Sequence, residues 1–342
     1  MASEVHWHWP FDTVLDSNNE HFPKWFAGGK LNIAHNCLDR HIQAGHGSDV
    51  CFFEESAYTG KSRAWTYREV YDQSGRLASV LQKEFGIQKG DRVVIYMPMI
   101  IEAAFTMLAC ARIGAIHSVV FGGFAAKELA KRIEHLQPKL VVTASYGLEP
   151  GKQIAYPPIV DEALKLCKFE GATDMPRLIK QRDKLKYSQL SEAYHDYDAL
   201  LSQEKEVASI VPVESNHPLY VLYTSGTTGA PKGIVRDHGG TAVALNYAIK
   251  NIYNIHRGET HWSVSDIGWV VGHSFIVYGP LLVGAKSIFF EGKPITPNAG
   301  IVWELIHKYR IKTIFKSPTA IRILKKMDFD GNYIKRFDLR SL

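Results

Sequence analysis

The chain has 342 residues, 46% of them hydrophobic and 22% charged. That balance excludes wholesale disorder, collagen-like repeats and low-complexity architecture, and it supplies enough apolar material for a sizeable core. Lys and Arg number 40 against 35 Asp and Glu, a net charge of +5. These charges are scattered, whereas nucleic-acid binders gather theirs on one face or tail. The surplus therefore suits a small polyanionic ligand and predicts no nucleic-acid partner. At ~150 residues per domain, length alone predicts about two domains.

Four cysteines, Cys37, Cys51, Cys110 and Cys167, form no CxxC pair, so neither a zinc site nor a disulfide framework follows from their spacing. A reduced intracellular compartment is the default. The longest apolar stretch, 103–111, is closed by Glu102 and Arg112 and falls well short of the ~20 residues that span a bilayer. No membrane partner is expected. The start carries Glu4, Asp12 and Asp16 and lacks an apolar core, unlike a secretory signal.

In chain order, residues 5–45 are rich in aromatic side chains (Trp7, Trp9, Phe11, Phe22, Trp25, Phe26) with little periodicity, and read as an irregular arm on a larger body. Thr66 and Glu69 form a capping box, followed by Val70, Leu77, Val80 and Leu81 at helical spacing and by Gly86 at the exit. The β-branched run 92–96 after Gly90-Asp91 predicts a buried strand. A helix over 101–113, a strand near 118–121, a helix over 127–136 and a strand at 140–143 follow. From 168 to 216 apolar density falls and charges crowd, which predicts a solvated connection with some helix. Alternation resumes with strand 219–223, helix 240–252, strand 286–290, helix 300–309, strand 312–316 and helix 319–326. Such alternation specifies an α/β fold with a mostly parallel sheet, here built twice.

The most informative stretch is Tyr220-Val221-Leu222-Tyr223 running into Thr224-Ser225-Gly226-Thr227-Thr228-Gly229-Ala230-Pro231-Lys232-Gly233. Glycines let backbone N–H groups converge on an anion, hydroxyls add donors, and Lys232 adds a point charge. Each hydrogen bond to a charged phosphate is worth about 1.5–3 kcal/mol, so four or five would hold a triphosphate tail firmly. The plain alternative is a hairpin loop rich in turn formers. A Walker A loop is ruled out, since Lys232 follows Pro231 and precedes Gly233 instead of opening a helix. No GxGxxG occupies a strand-to-helix turn, so a dinucleotide-binding dehydrogenase is also disfavoured.

This loop resembles the phosphate-binding signature of the acyl-adenylate-forming superfamily. Trp25-Phe26, Gly29, Leu31-Asn32, Asn36 and Asp39-Arg40-His41 resemble the N-terminal arm of acetyl- and propionyl-CoA synthetases. Phe121-Gly122-Gly123-Phe124, Pro138-Lys139, Thr143-Ala144, Asp266-Ile267-Gly268-Trp269-Val270-Val271-Gly272-His273, Glu291-Gly292-Lys293-Pro294 and Pro318-Thr319-Ala320-Ile321-Arg322 are similar to the same subfamily. The likeness is greatest to propionyl-type enzymes, through 144–151 and Val271, and it covers essentially the whole chain. It implies an arm over 1–45, an AMP-binding domain over 46–342 that is incomplete at its C-terminus, and an AMP-forming acid–thiol ligase. In that reaction a carboxylate and ATP give acyl-adenylate and pyrophosphate, and coenzyme A then displaces AMP.

The implied phosphate donors are Thr224, Ser225, Gly226, Thr227, Thr228, Gly229 and Lys232, with Thr224 and Lys232 also catalytic and Mg2+ accompanying ATP. Trp269, Val270 and Val271 are implied to wall a pocket for two to four carbons. A plain core tryptophan is the alternative for Trp269. One methylene discriminates by only ~1–3 kcal/mol, so propionate is a preference over acetate or butyrate. Glu149-Pro150-Gly151-Lys152 resembles the coenzyme A segment of the acetyl-type enzymes, which carry arginine where Glu149 stands, and Gly122 and Gly123 are implied to let backbone approach the pantetheine arm. For Lys152 the alternative is a solvated surface lysine, and for the glycines a packed turn. His273 is implied to orient the pocket or, as the plainer reading, to be a core histidine, and Asp266 to brace the loop beneath Trp269.

The adenine-binding loop, magnesium-holding Thr-Glu pair, ribose aspartate, hinge and catalytic-lysine domain of the family would lie beyond Leu342. The 342-residue chain is therefore expected to be inactive alone. Two other readings stay open: an adenylating enzyme for longer acyl or amino acid substrates, and a non-catalytic nucleotide-binding paralogue. The mitochondrial matrix and the cytoplasm are both compatible compartments.

Overall fold

The computed structural model describes residues 1–224 and 231–342. A seven-stranded sheet and a five-stranded sheet carry the body. In spatial order the larger sheet holds Tyr194–Asp196, Arg177–Lys180, Leu140–Ala144, Arg92–Tyr96, Ile116–Val119, Pro218–Thr224 and Lys232–Asp237. Its strands run parallel except the last, which pairs antiparallel with Pro218–Thr224. The smaller sheet holds Ile311–Lys316, Thr260–Val264, Lys286–Glu291, Val50–Ser56 and Ser62–Thr66, with only the final pair antiparallel. The doubled, mostly parallel α/β body is as the alternation predicts.

Strand periodicity distributes the core into layers. Val93 and Ile95 face one cluster with helices Tyr67–Lys83 and Ile101–Arg112, together with Phe52, Trp65 and Phe289 of the smaller sheet. Val94 and Tyr96, on the opposite face, pack on helices Ala126–Leu136 and Tyr156–Leu166. Ile288 and Phe290 point away from the middle layer toward helices Ile301–Tyr309 and Pro318–Met327. Two helices thus lie between two sheets, which explains why Ile101–Arg112 is apolar nearly all round: every residue but Glu102 is buried. Among the described residues no helix is long and apolar enough to cross a membrane. All four cysteines are free thiols.

The capping box forms as expected: Thr66 Oγ1 accepts from Glu69 N at 3.2 Å, and Glu69 Oε2 accepts from Thr66 N at 2.8 Å. Other expectations need correction. The strand expected at 118–121 is Ile116–Val119, because His117 is buried and hydrogen-bonded to Tyr278 Oη at 2.7 Å. The stretch 168–216 is more than a solvated connection. Arg177–Lys180 is a buried strand, its arginine tucked against the Thr173 carbonyl at 2.8 Å. The arm also has order, with a hairpin Thr13–Asp16/Lys24–Ala27 and a helical run over 35–43, where Cys37 and Leu38 are fully buried.

Candidate active site

The phosphate-loop residues Ser225, Gly226, Thr227, Thr228 and Gly229 lie outside the described residues. Thr224 and Lys232 are exposed and sit opposite one another, the terminal pair of the Pro218–Thr224/Lys232–Asp237 ladder. Gly233 is required there, since a Cβ would stand 2.9 Å from Val221 Cγ1. The strand Lys232–Asp237 is absent from the sequence reading, although Ile234 and Val235 are its signal.

The Trp269 segment is bent by two close backbone approaches. A Cβ on Gly268 would lie 2.7 Å from Phe121 Cα, and one on Gly272 would collide with the Asp266 carbonyl. Asp266 Oδ1 accepts from Gly268 N at 2.7 Å, so it braces the loop as expected. Burial raises its carboxyl pKa to about 6, with the Gly268 N–H pulling the other way. The bend delivers the Trp269 indole, 47% exposed, to Phe121 at 5.6 Å and Phe124 at 6.4 Å between ring centroids. It is therefore no plain core tryptophan. Val271 is half-buried and Val270 exposed.

Beneath this loop lies a buried aromatic column. His273 packs on Tyr220 at 4.5 Å and on His117 at 5.5 Å. Its Nδ1 is 3.1 Å from the Trp269 carbonyl, while its Nε2 has no partner among the described residues. Desolvation lowers its pKa to about 4, so the ring is neutral. A cavity of about 740 Å³ opens beside the column, lined by Tyr220, Val235, Arg236, Val270 and Ser274 and roofed by Trp25 and Phe26 of the arm. Of the three residues assigned to the acyl pocket, Val270 lines it.

Gly122 and Gly123 occupy the turn after the Ile116–Val119 strand. A Cβ on Gly122 would strike the Tyr156 hydroxyl, and one on Gly147 would lie 2.7 Å from the same ring. Tyr156, which sequence reasoning passed over, thus joins this turn to the hairpin Tyr146–Glu149/Lys152–Ala155. Tyr96 stacks on it at 4.7 Å and donates its hydroxyl to the Phe124 carbonyl at 2.6 Å. At the hairpin tip Glu149 faces Lys152 across Pro150-Gly151, where Gly151 has φ +67°. Glu149 is ion-paired with Lys293, and Lys152 is exposed. Glu291 is held by both Arg182 nitrogens, at 2.5 and 2.8 Å, and by the Ser56 hydroxyl at 2.7 Å. The turn, the hairpin and the segment 291–294 therefore form one connected rim.

Comparisons with known proteins place the chain in a family. The model of the AMP-binding enzyme family matches residues 41–342, and that of the acetyl-coenzyme A synthetase N-terminus matches residues 1–37. Acyl-CoA synthetase short-chain family member 3, mitochondrial, from Bos taurus is 46% identical over 340 residues, 99% of this chain and 49% of that protein. Acyl-CoA synthetase short-chain family member B, mitochondrial, from Dictyostelium discoideum is 44% identical, over 99% of this chain and 49% of that protein. Propionate–CoA ligase from Escherichia coli is 43% identical, over 100% and 54% respectively. The chain spans about half the length of these relatives. It belongs to the AMP-binding enzyme family, with short-chain acyl-CoA synthetases among its relatives.

Proposed function

We propose that this chain serves an ATP-dependent ligase that activates a short-chain carboxylate, propionate ahead of acetate or butyrate, and passes the acyl group to coenzyme A. What supports the reading is the hairpin that sets Thr224 opposite Lys232 at the mouth of a hydroxyl- and glycine-rich segment. A carboxylate oxygen attacks the α-phosphorus, the bond to the β-phosphate breaks, and pyrophosphate leaves with the electron pair. Lys232, Thr224 and the residues Ser225 to Gly229 would stabilise that departing charge. The coenzyme A thiolate then adds to the acyl carbon and AMP departs.

Trp269, Val270 and Val271 would bound the acyl chain. Lys152, with Gly122, Gly123, Pro150 and Gly151, would meet coenzyme A. Glu149 would act there by holding Lys293, its ion-pair partner. Mg2+ would accompany ATP and neutralise part of the charge on its phosphates. The arm-and-domain division at residue 45, and a mitochondrial or cytoplasmic setting, belong to the same proposal. So does the inactivity of the 342-residue chain by itself.

The test uses the complete protein with straight-chain carboxylates from acetate to octanoate, ATP and coenzyme A, reading AMP and thioester. Propionate should give the highest kcat/KM. Trp269→Gly should move the preference toward longer chains, each added methylene contributing about 1–3 kcal/mol. An unchanged chain-length profile removes Trp269 from the pocket, and turnover with only octanoate or an amino acid overturns the substrate class.

A further inference from the structure

We propose that His6, His8 and His35 form a binding site for one divalent transition-metal ion of the zinc class, which fastens the N-terminal segment to the helical run beginning at His35. One ligand atom from each of the three lies within 4.8 Å of the others. The rings form a triangle with centroid separations of 5.0, 4.6 and 4.9 Å. Among the described residues the buried His8 Nδ1 and His35 Nε2 have no hydrogen-bond partner, which is costly for polar atoms unless something binds them.

The backbone holds the triangle in place. His6 N donates to Asn36 Oδ1 at 2.8 Å, Asn36 Nδ2 returns a bond to the His6 carbonyl at 3.0 Å, and His8 N donates to the Lys30 carbonyl at 2.8 Å. His6 and His8 both meet the His35 ring, at 4.6 and 4.9 Å between centroids. Trp7 packs separately on Phe11 and Phe26 and donates its Nε1 to the Ala2 carbonyl at 2.9 Å.

The donor set decides the kind of ion. Three imidazoles with no thiolate suit Zn2+, Cu2+ or Ni2+ and disfavour Mg2+ and Ca2+. The nearby Asp39 carboxylate is committed to Arg112. A tetrahedral Zn2+ with bonds of ~2.0–2.1 Å needs nitrogens about 3.4 Å apart. Ligand atoms up to 4.8 Å apart must therefore close by up to about 1.4 Å, through rotation of the exposed His6 ring and the half-buried His8 ring about the buried His35. Burial also disfavours protonation of His8 and His35, leaving the neutral form that ligates. The fourth position is left to water.

The test is a titration of the metal-stripped 342-residue chain with Zn2+ against a chromophoric chelator, and with Co2+ by visible absorption. One ion per chain is expected, with a visible Co2+ ligand-field band and a higher melting temperature in Zn2+. His6→Ala alters an exposed side chain, leaves folding intact, and should weaken binding at least about tenfold. His8→Ala should do the same, and both should abolish the Zn2+-dependent rise in melting. Equal Zn2+ affinity in wild type and His6→Ala overturns the site. So does a Zn2+ stoichiometry unchanged in the two variants, which marks scattered surface binding.

Discussion

Arg112 closes the helix between the two sheets and is only 3% exposed. Its guanidinium meets both Asp39 oxygens, at 2.9 and 3.1 Å, and donates to the Ala208 carbonyl. The Arg112 carbonyl accepts from Asn32 Nδ2 at 3.0 Å and from Val211 N at 3.0 Å. One residue thus ties the N-terminal helical run, the middle layer and the segment before the Pro218–Thr224 strand. Removing either charge strands the other away from water, which typically costs about 3–5 kcal/mol. Asp39→Asn should therefore lower the unfolding free energy by that order in a urea titration. Asp39→Leu combined with Arg112→Met should recover most of the loss, because an apolar pair leaves no unpaired charge. An unaltered midpoint for Asp39→Asn would show that the pair contributes no net stability.

At the scale of elements, local signals were legible where the chain satisfies itself. The Thr66 capping box and the all-round apolar run 101–112 need no distant partner to be recognised. Strands whose polar residues are satisfied from afar were not legible. Val50–Ser56 contains Glu54, buried because Trp65 Nε1 donates to it at 2.9 Å and Lys61 pairs with it at 2.9 Å. Thr260–Val264 buries His261 against Thr313 at 2.7 Å. A periodicity count reads such residues as solvent-facing. The site divides in the same way. Its motif and Trp269 stand out in the sequence, but Tyr156, which joins Gly122 to Gly147, belongs to no motif.

That junction makes a prediction of its own. Gly122→Ala drives a methyl into the Tyr156 hydroxyl and to 3.0 Å from the Met97 carbonyl, and such overpacking costs about 1–3 kcal/mol. Tyr156→Phe removes the hydroxyl, so the double variant should be more stable than Gly122→Ala alone. A double-mutant cycle in denaturant reads the coupling directly, and strict additivity would place the clash elsewhere.

Among the described residues, the layers that bury the middle helices leave at least two apolar faces open to solvent. Lys232–Asp237 is an edge strand of the larger sheet, with Ile234 43% and Val235 56% exposed. Helix Pro318–Met327 exposes Ile321, Ile323 and Met327, and Phe329 follows it. An unpaired edge with apolar side chains is a template for another strand, and patches of this kind drive association. The 342-residue chain should therefore self-associate as its concentration rises, seen as a growing weight-average mass in sedimentation. Val235→Lys places a charge on the edge itself and should lower that mass through edge pairing alone. Ile321→Glu acts on the helical face and should lower it only where helix burial contributes. If Val235→Lys returns the chain to a monomer while Ile321→Glu changes nothing, the hairpin edge is the adhesive element. The opposite pattern assigns association to the helix, and a monomer at every concentration refutes both faces.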